Sequence, residues 1–87
     1  MWHICHIMIS YTLTKEESSK IIGNKVRQLR LQKNLTLEIL AIEANMEYKQ
    51  LSRIELGKIN TTVFQIIKIA KALEVTAAEI IGVLHLL

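Results

Sequence analysis

The sequence predicts an all-α fold of five short helices, and three observations carry that expectation. Apolar residues recur at helical rather than alternating spacing, three threonines each stand three residues ahead of a Glu or Gln, and no proline interrupts the 87 residues. Thr14, Thr62 and Thr76 precede Glu17, Gln65 and Glu79. This is the capping-box pattern, in which the hydroxyl takes one exposed N–H of the helix start and the longer side chain takes another.

The first helix follows from Thr14, with Ile22, Val26 and Leu29 on one face. It should stop near Lys33, because Asn34 tolerates the left-handed backbone that ends helices. Thr36 then caps a second helix from Leu37 to about Glu43, and a third runs from Glu47 to about Leu56 with Leu51 and Ile54 turned inward. After Thr62 the run Val63, Ile66, Ile67, Ala70, Leu73 is amphipathic, and after Thr76 the run Ala77, Ile80, Ile81, Leu84 repeats the pattern. Residues 1–13 fit no helical stripe and are rich in β-branched and aromatic residues. They read as an arm, extended or disordered, ahead of one domain over 14–87.

Just over half of the residues are apolar, enough for one modest core and not for two domains. The 11 basic residues exceed the 8 acidic ones, all Glu, and six of the basic residues lie between Lys15 and Lys33. Such an excess permits an anionic partner without demanding one. Cys5 is the single cysteine, which excludes an internal disulfide and points to a reducing, cytoplasmic setting. No secretory leader is expected, and no apolar run approaches the ~20 residues that span a bilayer, so no membrane partner is expected either. His3, Cys5 and His6 suggest a metal site, but neighbours on an extended chain point opposite ways and no fourth ligand has suitable spacing. No metal is expected there. His85 reads as a surface or interface histidine.

The informative spacing lies between Thr36 and Gly57, where two short helices are joined by three or four residues. Ala41 is small enough for a steep, close crossing, Asn45 suits a turn with positive φ, and Leu40, Ala44 and Met46 close the apolar contact around it. This is a helix-turn-helix. Its second helix carries Tyr48, Lys49, Ser52 and Arg53 on the face opposite Leu51 and Ile54. A polar helix face is often only solvated, so its role depends on the rest of the chain.

From about Ile22 to Ile81 the chain resembles the lambda-repressor-like DNA-binding domains of the Cro/C1, or xenobiotic-response-element, type. The resemblance rests jointly on VRQLRLQKNLT, LAIEANMEYKQLSRIELGKIN and IIKIAKALEVTAAEII. It implies a compact five-helix domain whose second and third helices form the helix-turn-helix, the third entering the major groove of double-stranded DNA. On this reading Glu47, Tyr48, Lys49, Ser52 and Arg53 contact bases. Lys49 and Arg53 can donate to guanine O6 and N7, Glu47 can accept from cytosine N4, and Tyr48 can meet a thymine methyl or a phosphate. Glu47 would also sit well at a helix start without DNA. Phosphate contacts are expected from Thr36 and the adjoining N–H groups, Lys58 and Asn60. Arg30 and Glu55 match family positions that form a partly buried structural ion pair. Leu37 and Leu56 depart from the family, which commonly has a phosphate-binding Gln at the first position and a polar or basic residue at the second.

The function implied is a sequence-specific transcriptional regulator acting as a homodimer on a two-half-site operator. A restriction-modification controller, a phage-type repressor and a DNA-binding antitoxin all fit. The expected dimer surface is the last helix and tail, with Ile80, Val83, Leu84, Leu86 and Leu87. The competing reading is a protein-interaction or antitoxin-type module that keeps the fold with weak or lost DNA binding. An enzyme is not expected, since no nucleophile with base, carboxylate pair or glycine-rich phosphate loop is present, and no cofactor or small-molecule substrate is indicated.

Overall fold

The computed structural model describes residues 14–82. Five helices occupy them: α1 (Lys15–Gln32), α2 (Leu37–Glu43), α3 (Tyr48–Glu55), α4 (Val63–Leu73) and α5 (Ala77–Ile81). No strand occurs among the described residues. The arm at 1–13 and the tail at 83–87, with His3, Cys5, His6, His85 and four of the five expected dimer residues, lie outside the description. None of the described helices is long and apolar enough to cross a membrane.

Threonine opens four of the five helices. The hydroxyls of Thr14, Thr36, Thr62 and Thr76 accept the backbone N–H of Glu17, Ile39, Gln65 and Glu79 at 3.1–3.2 Å. Only at Thr62 is the expected reciprocal bond made: Gln65 Oε1 accepts the Thr62 N–H at 3.3 Å and the Thr61 hydroxyl at 3.1 Å. Glu17 and Glu79 are not drawn back to their caps. Their carboxylates gain from water and from the positive helix start without folding over. The third helix begins one residue later than expected, at Tyr48, with Glu47 as an N-cap that makes no side-chain cap bond.

The first four helices also stop alike. Asn34, Asn45, Gly57 and Glu74 have φ of 56°, 54°, 72° and 60°. At each, the following residue donates back across the turn: Leu35 N–H to Arg30 O, Met46 to Ala41, Lys58 to Arg53 and Val75 to Ala70, at 2.9–3.1 Å. These bonds satisfy carbonyls that would otherwise lack partners at the helix ends.

The core gathers Val26 and Leu29 from α1, Leu40 and Ala41 from α2, Ala44 from the turn, Leu51 and Ile54 from α3, Ile66, Ile69, Ala70 and Leu73 from α4, and Ile80 from α5. Two expectations fail in it. The inward stripe of α4 includes Ile69, which rotates the buried face away from Val63 and Ile67 and leaves those two 66% and 42% exposed. Ile80 is fully buried in the core of the same chain, because α5 packs on α4 and α1. It therefore has no surface to give a dimer contact.

Candidate nucleic-acid interface

Two contacts fix α3 against α1. At Gly23 the backbone of α1 lies on the last carbonyls of α3, so close that an added Cβ would overlap Ile54 O and come within 2.8 Å of Glu55 O. Further along α1, Arg30 holds Glu55 with two parallel bonds, Nε to Oε2 at 2.8 Å and Nη2 to Oε1 at 3.0 Å. Its remaining Nη1 donates to Leu35 O at 3.0 Å. Both side chains are largely buried, at 12% and 5% exposed. The guanidinium thus joins α1, the turn before α2 and the end of α3, using the fork geometry that a lysine lacks.

With Leu51 and Ile54 buried beneath, α3 presents Tyr48, Lys49 and Arg53 outward, all exposed, and Ser52 half-buried beside them. Leu56, at the C-cap, is 59% exposed on the same helix. Glu47 is exposed at the helix start. Thr36 caps α2 through its Oγ1, which leaves its hydroxyl proton available to donate. Leu37, beside it, packs against the core and offers no polar group.

Beyond α3 the chain turns at Gly57, where a side chain has no room: an added Cβ would meet Lys20 Cα at 2.6 Å. The turn forms one wall of a cleft of about 160 Å³ lined by Lys15, Glu16, Ser19, Gly57, Lys58, Ile59 and Asn60. Within it the Ser19 hydroxyl donates to Asn60 Oδ1 at 2.8 Å. That bond engages the amide's acceptor and leaves its Nδ2–H groups as donors beside the exposed Lys58. The sequence singles out Lys58 and Asn60 but gives no sign of Ser19 and Lys15. Their positions on α1 carry no local signal, and only the return of the chain at Gly57 brings them to the cleft.

Residues 26–80, well over half of the chain, match the helix-turn-helix family. The chain belongs to that family, in its Cro/C1 type. It is a family of DNA-binding transcription regulators. Among its relatives, control protein C.BamHI of Bacillus amyloliquefaciens is 40% identical over 62 residues, which are 70% of this chain and 76% of that one. The crystal structure of the restriction-modification controller protein C.AhdI from Aeromonas hydrophila is similar, with a TM-score of 0.70 and 29% identity, covering 71% of this chain and 94% of that one. A helix-turn-helix family transcriptional regulator from Vibrio cholerae aligns with a TM-score of 0.75 and 26% identity, over 79% of this chain and 39% of that one.

Proposed function

We propose that this regulator reads DNA through the outer face of α3 and acts as a homodimeric controller of the restriction-modification type. The observation that carries the reading is the exposed set Tyr48, Lys49 and Arg53 on a helix whose opposite side is fully committed to the core. Such a face can enter the major groove without disturbing the fold. Arg53 reads guanine with two bonds and Lys49 with one, Glu47 takes a cytosine amine, and Tyr48 and Ser52 complete the contact with methyl and edge groups. Thr36, Lys58 and Asn60 anchor phosphates on either side. The similarity to C.BamHI and C.AhdI favours the controller subtype over a phage-type repressor or an antitoxin.

The domain is 14–87, with 1–13 as an arm, and the protein works in the cytoplasm, where its operator is. The apolar sequence VLHLL at 83–87 supplies the dimer contact through Val83, Leu84, Leu86 and Leu87. A dimer doubles the base pairs read and sets two half-sites about one helical turn apart. Selection of bound duplexes from a random library tests the whole proposal. The expected product is an inverted repeat, and Arg53→Ala should lose preference at one position in each half-site, worth ~1–3 kcal/mol, with an unchanged melting curve. A library that yields no shared motif would overturn it.

A further inference from the structure

Arg27 and Asn24 belong neither to the reading face of α3 nor to its phosphate anchors, although they lie close to that helix. The cause is Gly23. By letting α1 rest directly on the Ile54 and Glu55 carbonyls, it draws the following turn of α1 up beside α3. A cleft of about 290 Å³ results, lined by Asn24, Arg27, Ser52, Glu55 and Leu56.

The charge in this cleft is not neutralised from within. Glu55 is its single acid, and both carboxylate oxygens already accept from Arg30. That is the one ion pair among the described residues, so the exposed guanidinium of Arg27 has no carboxylate partner there. Beside it stand the Asn24 amide, which adds donors, and Leu56, whose side chain adds no competing acceptor, while Ser52 borders the cleft from the reading face. Lys49 and Arg53, on the same helix as Ser52, make the surroundings more positive still. A planar cation with five N–H donors, flanked by an amide, fits a phosphate oxygen.

We infer that this cleft is a phosphate subsite, in which Arg27, assisted by Asn24, holds one backbone phosphate of the strand that borders α3. The inference rests on the proposed reading of α3. Arg27 acts here as an anchor and carries no base preference.

The test uses the full chain as wild type, Arg27→Ala and Arg27→Lys, with two labelled duplexes: the selected operator and a scrambled duplex of equal length. Arg27→Ala should bind both more weakly by the same factor, about tenfold for each charge-assisted bond lost and so about a hundredfold for a dimer. Its plot of log affinity against log salt should be shallower by ~0.9 for each phosphate no longer neutralised, about twice that for a dimer. Arg27→Lys should keep the slope. Ethylation of the operator phosphates gives the positional readout: one phosphate per half-site should block the wild type and make no difference to Arg27→Ala. An unchanged slope and ethylation pattern in Arg27→Ala would overturn the subsite while leaving the α3 reading in place. Loss of preference at a single base pair would overturn it too, since Arg27 would then be a reader. A wild type that shifts neither duplex at any salt would remove the α3 reading and the subsite together. Because Arg27 is exposed and makes no ion pair with the described residues, the alanine variant should melt with the wild type, which separates these results from misfolding.

Discussion

Helices α2 and α3 end on the same pair of hydrogen bonds, Asn45 N–H to Ile42 O with Met46 N–H to Ala41 O in one, and Gly57 N–H to Ile54 O with Lys58 N–H to Arg53 O in the other. The residues that make them differ in a telling way. Asn45 is exposed and Met46 turns partly into the core, so the first turn is closed by packing. At the second, Gly57 is pressed against Lys20 and the next residue is an exposed lysine, so the apolar contact comes one position later, from Ile59. The end of α3 is held instead from the side, by Arg30 on Glu55. One backbone device therefore serves two ends. At α2 it is an internal joint, and at α3 it frees a cation for the surface.

On that contrast, the largest destabilisation should come from removing the side support of α3. Glu55→Ala or Arg30→Ala leaves a charge without its partner in a largely buried place and should cost about 4–5 kcal/mol in a thermal or denaturant melt. The double variant should lose less than the sum of the singles. Strict additivity would mean that the end of α3 is held by something else. Next comes the turn residue itself. Gly57→Ala combines a left-handed conformation with an overlap against the α1 backbone and should cost about 2–4 kcal/mol. Asn45→Ala should cost about 1 kcal/mol, and Asn45→Gly should stay within about 0.5 kcal/mol of wild type. Equal costs for the two alanine variants would erase the distinction between a crowded turn and an open one.

The smallest effect on stability is expected one residue further on. Lys58→Ala should melt within about 0.5 kcal/mol of wild type, whereas Met46→Ala should lose about 1–2 kcal/mol of packing. In DNA binding the order reverses. Lys58→Ala should flatten the salt dependence by ~0.9 per phosphate with every duplex alike, and Met46→Ala should leave it alone. A lysine variant that melted early with a normal salt slope would place Lys58 among the structural residues.

Four of the five helix starts were legible because threonine at a helix entrance has a local reason to be there; the start of α3, capped by Glu47 without a side-chain bond, falls one residue later than its sequence suggests. The turns at Asn34, Asn45 and Gly57 were legible too. Glu74 was not. Glutamate has no preference for positive φ, and its conformation follows from the Val75 N–H reaching back to Ala70 O. Gly23 reads in isolation as a flaw worth about 1 kcal/mol in a helix interior, until the carbonyls it accommodates are known. The same blindness to partners put Ile80 in a dimer surface. It does lie on the apolar stripe of α5, but whether a stripe is covered by the chain itself or by a second copy depends on how α5 lies on α1 and α4. For the site, the outer face of α3 could be read from period alone, since it needs only the inward residues of its own helix. The clefts beside it could not, because each joins α1 to residues roughly 25 to 45 positions away.

The reach of one side chain has a further meaning for the history of such a surface. Arg30 binds the turn that leads into α2 and the carboxylate that closes α3, so the angle between the two helices of the motif is set from behind, by residues that face the protein. None of Tyr48, Lys49 or Arg53 takes part in that fastening. On the proposed reading of α3, a change of target sequence is made by rewriting those exposed positions one at a time, each variant still folded and still presenting α3 at the inherited angle. The frame and the text on it can evolve separately.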